Sequence, residues 1–446
     1  MINFEEIKKF RSFYFSGIAG TGMKPLAKFL SASGYTVAGA DLNTEFFPEL
    51  KEYGIKVYDT HDGKRLKNFD ALVVSSSIKG DNPEMKYAVK NGVPVIKRSE
   101  LLGYVFTLFN KSISVSGTHG KTTATAMLGT ILKRFSSVTV FVGGDTIEYS
   151  DYYSDGLYNT CIAETCEYNR NFYDVKPTVA VILNVCYDHV DTYKNLNEVI
   201  KAFGTFSKNS ITVKNADDPG SESIPAYLTF GIKNNADFTA KNIKSTENGL
   251  EFTVLHKNKR YKAFVPVLGK HHVYNALAAI AAAYITGVPV ECSVSALEKF
   301  RGVMRRAEKI GTINGAAVYS DYAHHPDEIE KTSKAFLSLK KGKTLVVFQP
   351  HTYSRTAALK ADFIRVLKPI KKLALFRTYA AREDVKYIGS AKDLFISLEK
   401  TDSSYYDSVE DLIKSFKDYD NVLVLGAGDL DRHLRAVIKN KTTTIQ

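Results

Sequence analysis

The stretch SVSGTHGKTTAT (114–125) sets two glycines ahead of a lysine and a run of threonines, a grouping suited to holding phosphate. The longer pattern G-x-x-x-x-G-K-[ST] would need glycine where Val115 stands, so the setting has to decide. An apolar run precedes the stretch, and TTATAMLGTILKR follows with Met127, Leu128, Ile131 and Leu132 on one helical face. A strand–loop–helix of this kind aims backbone N–H groups and a helix N-terminus at phosphate oxygens. Gly117 and Gly120 let the backbone come close, with Thr118, His119 and Thr123 completing the loop. Lys121 would reach the β- and γ-phosphates, and the Thr122 hydroxyl would ligate Mg²⁺. The reading is a triphosphate site; the alternative is a structural turn.

Other polar residues fall where an α/β sheet gathers its ligands, at the carboxyl ends of strands. Glu164 closes NTCIAE, Asn184 closes TVAVILN, and Asp188 and His189 follow at once. A carboxylate and an imidazole beside a phosphate loop can hold a divalent metal. Their plainer readings are a strand-end acid and a hydrogen-bonded histidine. A second glycine-rich turn, FYFSGIAGTGM (13–23), carries Gly17, Gly20 and Gly22, and Asp41 closes the next strand 24 residues after Gly17. That spacing suits a dinucleotide site. The order G-x-x-G-x-G differs from G-x-G-x-x-G, which weakens nicotinamide and leaves a helix N-terminus open to a diphosphate. Two phosphate loops in one chain, one for a triphosphate, point to a phosphoryl-driven joining reaction.

The elements that carry these loops read as an α/β protein. Short apolar runs (FYFSG, TVAGAD, ALVVSS, VPVIKR) alternate with helical stretches, a sign of a parallel, doubly wound sheet. SISVSG opens a second block that includes a polar stretch, 207–262, and an alanine-rich helix, and TLVVFQP, KLALF and NVLVLGAG form a third. At 446 residues, two to three domains are expected, placed at 1–107, 108–301 and 302–446. The net charge of +12 is dispersed, with no basic-aromatic motif, so a plain solvated surface is its first explanation, attraction of small anions the second, and nucleic acid comes last. VYNALAAIAAAYITGV (273–288) reads as a buried helix and not as a membrane span. The polar N-terminus and four cysteines without a Cys-x-x-Cys pair suit a reducing cytoplasm. His324, His325 and His351 lack the spacing and cysteine partners of a zinc site.

GTHGKTT together with SDYAHHPDE (320–328), FQPHTYSRT (348–356) and LGAGD (425–429) resembles the Mur ligases of peptidoglycan synthesis. GIAGTGM, LNVCYDHVDTY, KHHVYNALAA, FRGVMRRAE and YAARE fall in the family's order, so the resemblance covers nearly the whole chain. It is greatest to the branch that adds L-alanine to UDP-N-acetylmuramate. The resemblance implies three domains: an N-terminal Rossmann-like domain for the UDP-sugar, a central P-loop ATPase-type α/β domain for ATP, and a C-terminal Rossmann-like domain for the amino acid. The implied reaction passes the γ-phosphoryl group of ATP to the lactyl carboxylate, and the alanine amine then attacks the acyl phosphate.

By the same resemblance Lys121 binds phosphate, and Thr122, Glu164 and His189 serve Mg²⁺ or Mn²⁺. Asn275 faces adenine, and Arg306 and Asp321 reach the nucleotide. Gly17, Gly20, Gly22, Asp41, Ser76 and Asn82 contact the UDP-sugar, and Tyr322, His324, His351 and Arg355 form the alanine pocket. Three departures stand out: Thr165-Cys166-Glu167-Tyr168 replaces an acidic run, His272 replaces an asparagine, and Thr352 an arginine. The competing readings are a ligase for a recycled peptide or another amino acid, a nucleotide-sensing module without ligase activity, and a dehydrogenase. Monomer and homodimer remain equally open.

Overall fold

Strands built from continuous apolar runs can be buried on both faces, which is the requirement of a parallel sheet between helices. The computed structural model, which describes residues 3–189, 192–381, 383–384 and 388–443, bears this out three times over. Val190 and Asp191 of LNVCYDHVDTY and Arg382 of YAARE lie outside the described residues.

The first sheet comprises β1 (Ser12–Ser16), β2 (Thr36–Ala40), β3 (Lys56–Tyr58), β4 (Ala71–Val74) and β5 (Val95–Lys97). Its order is β3-β2-β1-β4-β5, all parallel, so the strand order reverses beside β1. That reversal opens a crevice at the carboxyl ends of β1 and β4.

The second sheet holds β6 (Lys111–Ser116), β7 (Val138–Thr146), β8 (Ser150–Ser154), β9 (Thr160–Glu164), β10 (Val179–Ile182), β11 (Ile211–Asn215), β12 (Leu228–Gly231), β13 (Phe238–Thr246), β14 (Gly249–His256) and β15 (Lys259–Val265). The order is β15-β14-β13-β12-β11-β10-β6-β9-β7-β8, which seats β6 between β10 and β9, parallel to both. The third sheet orders β16 (Glu308–Ile313), β17 (Ala316–Asp321), β21 (Asn421–Leu425), β18 (Thr344–Phe348), β19 (Leu373–Phe376) and β20 (Ser403–Tyr406) side by side. Only β16 runs antiparallel to its neighbour in that sheet.

Two expectations change in the structure. The polar stretch 207–262 supplies β11 to β15, although it has few continuous apolar runs. In β14 buried and less buried residues alternate, the pattern of a half-covered strand, which dilutes the apolar signal. The phosphate-loop helix, Lys121–Phe135, is covered on more than one face: Thr123, Thr125 and Thr130 are buried along with Met127, Leu128, Ile131 and Leu132. It packs on the alanine-rich helix His272–Ile285, whose small side chains allow the close approach.

The chain divides into two compact units, one of Met1–Ile243, Glu251–Val265 and His271–Arg301, the other of Lys244–Leu250, Pro266–Lys270 and Gly302–Gln446. Within the first unit, Phe29 of helix Lys24–Ala32 packs its ring against Phe109, Phe141, Tyr152 and Tyr158, with centroids 5.5–6.5 Å apart. Beside these rings the buried Lys28 ammonium lies 2.7 Å from Asp151, and Lys24 lies 3.2 Å from both Asp151 and Glu49. These contacts tie the first sheet's helix to β7 and β8 of the second. Truncating so enclosed an aromatic removes about 3–5 kcal/mol. Phe29→Ala should therefore lower the free energy of unfolding of the first unit in urea by that amount, and a loss below about 1 kcal/mol would show that the cluster is not what joins the sheets.

Candidate active site

The chain leaves β6 at Ser116 and turns through Gly117–Gly120 before the helix begins at Lys121. Gly120 adopts φ 86°, and a Cβ there would stand 2.6 Å from Asn275 Oδ1, so only glycine fits this position. The end of β10 holds the loop from the side. Asn184 accepts from His119 N at 2.8 Å, donates to His119 O at 3.0 Å, and accepts from Thr118 N through its own carbonyl at 3.0 Å. The Thr118 hydroxyl accepts from Cys186 N at 2.9 Å. Lys121 folds back and donates to the Thr118 carbonyl at 3.1 Å, within the loop it would otherwise offer to a phosphate. Asn275 stands against this loop and pairs with His272 Nδ1 at 3.1 Å.

Thr122 Oγ1 donates to Glu164 Oε2 at 2.8 Å, so the two oxygen donors lie side by side. Gly143 makes room for this carboxylate, since a Cβ there would collide with Glu164 Oε1. Oxygen donors of this kind fit a hard cation such as Mg²⁺. Just beyond, Glu167 is buried, and neither of its carboxylate oxygens has a hydrogen-bond partner. Lys121 Nζ stands 3.5 Å from one of them and His189 Nε2 3.9 Å from the other. His189 has φ 54°, unusual for a non-glycine residue, and its main-chain N–H is held by Asp188 Oδ1 at 2.7 Å. Burial pushes the Cys166 thiol up, against the pull of Lys121 and Arg98.

A cavity of about 230 Å³ joins the two glycine-rich turns inside the first unit. Thr21 and Gly22 line one wall, and Lys121, Glu164 and Cys166 the other. Arg98 stands between them, and a Cβ on Gly22 would meet its guanidinium at 3.0 Å. Burial pulls the Arg98 guanidinium below its ordinary value, opposed by the charges of Cys166 and Glu164. It makes no hydrogen bond or ion pair among the described residues, which leaves a desolvated cation facing the cavity. Sequence reasoning passed over Arg98 and gave Glu167 no role beyond its place in the run that departs from the family. Arg98 closes the run VPVIKR, and its place at a strand end was the available signal.

In the first sheet Gly17 has φ 80° and leads into the turn after β1. Asp41 is engaged by the backbone, accepting from Ala19 N at 3.0 Å and Asn43 N at 2.9 Å, and so braces the turn. Asn82 caps helix Pro83–Asn91 by accepting from Glu84 N at 2.8 Å. Ser76 is exposed, whereas the hydroxyl of Ser75 faces Gly17. Gly20 and Gly22 continue the same turn.

The second unit gathers its own set at the ends of β17 and β18. Asp321 accepts from Ala307 N and Ala323 N, both at 2.8 Å, and burial pushes it up against the pull of nearby Arg306. His324 Nδ1 lies 2.9 Å from the Tyr322 carbonyl, and its ring centroid is 5.4 Å from that of Tyr322 and 5.9 Å from that of His351. Arg355 reaches His351 Nδ1 at 3.3 Å. Tyr322, His324, His351 and Arg355 thus form one cluster, with Arg306 near its acids. Thr352 takes φ 65°, a strained setting for a β-branched residue, while its N–H bonds Tyr379 O at 2.9 Å.

Comparison with known proteins places this arrangement. The Mur ligase family, catalytic domain, matches residues 12–110; the Mur ligase middle domain matches 115–283; and the Mur ligase, glutamate ligase domain, matches 305–428. A UDP-N-acetylmuramate–L-alanine ligase of Caldicellulosiruptor saccharolyticus is 36% identical over 96% of this chain and 98% of its own. The chain belongs to the Mur ligase family. A ligase of the same name from Aquifex aeolicus is also 36% identical, with 98% of each Mur ligase chain covered. The crystal structure of the UDP-N-acetylmuramate–alanine ligase of Thermotoga maritima superposes with a TM-score of 0.82 at 28% identity, over 97% of this chain and 99% of that one.

Burial and the adjacent Arg355 hold the His351 imidazole down at about 4. A folded value below the unfolded one means that stability from this group is present above about pH 6.5 and is lost as pH falls toward 4. An NMR titration of His351 should show a midpoint near 4, and a midpoint at or above 6.5 would contradict the packing around it.

Proposed function

We propose that this chain joins L-alanine to the lactyl carboxylate of UDP-N-acetylmuramate at the expense of ATP, in building peptidoglycan precursors. The observation that carries the reading is the cavity in which the sugar-side turn, Arg98, the phosphate-loop lysine and Glu164 meet. It is smaller than the roughly 300–1,000 Å³ of a whole-ligand pocket, as suits a junction where only the reacting ends meet.

A carboxylate is a poor acyl donor until its oxygen is made a leaving group, and a phosphoryl group does this. Two anions have to approach for that transfer, so fixed positive charge must receive them. The backbone N–H groups of Gly117–Gly120 and the Lys121 ammonium take the β/γ-phosphates, with Lys121 leaving the Thr118 carbonyl as it does so. Arg98 receives the carboxylate or the sugar diphosphate from the opposite wall. Thr122, Glu164 and His189 would hold Mg²⁺, which would supply positive charge against the transferring group. Asn275 borders the adenine, and Arg306 and Asp321 serve the nucleotide from the second unit.

Tyr322, His324, His351 and Arg355 receive alanine, the guanidinium pairing with its α-carboxylate. With His351 held neutral, Arg355 is the charged member of the Arg355–His351 pair. The three sheets correspond to three ligand-binding domains in this reading. No helix of the described residues is long and apolar enough to cross a membrane, and we place the reaction in the cytoplasm.

Phosphate release by the purified protein is the test, with Mg-ATP, UDP-N-acetylmuramate and L-alanine omitted in turn. Release should need all three and yield the alanine-extended sugar nucleotide; release with a peptide in place of alanine would move the specificity. Lys121→Ala should lower kcat by at least a hundredfold while the thermal transition is kept, and near-normal turnover would remove the phosphate-loop assignment. Arg98→Gln should raise the KM for the sugar nucleotide about tenfold or more, in keeping with a charged hydrogen bond of roughly 1.5–3 kcal/mol, and leave the KM for ATP in place. Arg355→Ala should raise the KM for alanine most. An effect confined to ATP would displace the amino-acid pocket.

A further inference from the structure

Beside the phosphate loop, and outside the donors assigned to Mg²⁺ apart from His189, stands a group of mixed chemistry: Cys166, Glu167 and His189. One donor atom from each lies within 4.8 Å of the other two. Cys166 Sγ is 3.9 Å from His189 Nε2, and Glu167 Oε1 is 3.9 Å from the same nitrogen. Glu167 is 1% exposed, and both of its oxygens lack a hydrogen-bond partner. A buried carboxylate without donors is costly unless something cationic completes it. Lys121 approaches one oxygen only to 3.5 Å and is the group the proposed reaction draws toward phosphate.

The group is framed on two sides. The Tyr168 ring lies 5.1 Å from that of His189, and Tyr193 OH donates to the Glu167 carbonyl at 2.7 Å. The donors discriminate between metals. A thiolate does not suit Mg²⁺, which prefers oxygen in octahedral array. Sulfur, nitrogen and one carboxylate oxygen suit a tetrahedral Zn²⁺ with a fourth position left to water. Metal–ligand bonds of about 2.0–2.3 Å put tetrahedral ligand atoms roughly 3.3–3.7 Å apart. Contraction by a few tenths of an ångström would bring both 3.9 Å separations to His189 into that range, and the Cys166–Glu167 pair, within 4.8 Å, closes further as the Glu167 side chain turns.

We propose that Cys166, Glu167 and His189 form a second, inhibitory metal site for a thiophilic divalent cation such as Zn²⁺. On binding, the Cys166 thiol proton leaves to solvent, the thiolate and imidazole ligate the ion, and Glu167 turns from Lys121 to the metal. The ion then occupies His189, which the ligase reading assigns to Mg²⁺, so filling this site arrests ligation. The proposal shares that residue with the ligase reading but can be tested without turnover.

The first measurement is a Co²⁺ titration of the purified, metal-free protein, followed by competition with Zn²⁺. The wild type should develop a thiolate-to-cobalt charge-transfer band and the intense visible bands of tetrahedral cobalt. Cys166→Ser should lose the charge-transfer band and bind Zn²⁺ at least tenfold more weakly, and the isosteric Glu167→Gln should also weaken it. Cys186→Ser, at the exposed thiol nearby, should leave the band in place; thermal melting establishes that each variant is folded. In the ligase assay at excess Mg²⁺, half-inhibition of Cys166→Ser should need at least tenfold more Zn²⁺ than the wild type, each relative to its own zinc-free rate. No band in the wild type, a band that survives Cys166→Ser, or equal zinc sensitivity would each overturn the proposal. A protein that bound cobalt through Cys166 yet released no phosphate would overturn the ligase reading and leave the metal site standing.

Discussion

Two anions do not approach one another unless fixed positive charge is already in place to receive them. Much of the first unit serves that constraint. The central strand β6 delivers a loop whose N–H groups converge at a helix N-terminus, and Asn184 holds it with three hydrogen bonds. Backbone donors held this way need no reorganisation when charge arrives, which gives them more value than mobile side chains in water. Lys121 and Arg98 add full charges from opposite walls of one cavity.

Charge gathered in this way repels itself, and the fold offsets it with buried acids. Glu167 lies against Lys121, and Glu164 stands within the electrostatic reach of Arg98. A similar balance appears away from the site, where Lys24 and Lys28 are enclosed with Asp151 and Glu49. Such networks add little stability over an apolar core of the same volume, but a half-formed one is strongly penalised. They therefore favour a single docking of the first sheet's helix on β8, and with it a single geometry for the cavity.

The second unit solves a smaller problem. In the proposed reading its cluster receives a short amino acid, and it offers rings, the Arg355 guanidinium and Arg305 over the Tyr322 ring. His324 and His351 are both held below the ordinary histidine range by burial. Neutral imidazoles beside Arg355 add no positive charge of their own to the cluster.

Local chemistry was legible in the sequence. The glycine–lysine–threonine loop, the strand-end acid Glu164 and the alanine-rich helix each depend on neighbours a few residues away, and the chain alone determined them. The strands of 207–262 were not legible, because half-covered strands such as β14 alternate buried and less buried residues and lose the continuous apolar run. Nor was the work of Asp41 and Asn82, whose oxygens are taken by backbone donors only two residues beyond each and, for Asp41, in the turn after β1. Arg98 and Glu167 belong to the same class: a strand-end arginine and an acid in an unusual run looked ordinary. Sequence by itself determined which groups could bind phosphate. Tertiary structure decided which charges face one another across the cavity, because that depends on how two sheets distant in the chain are packed.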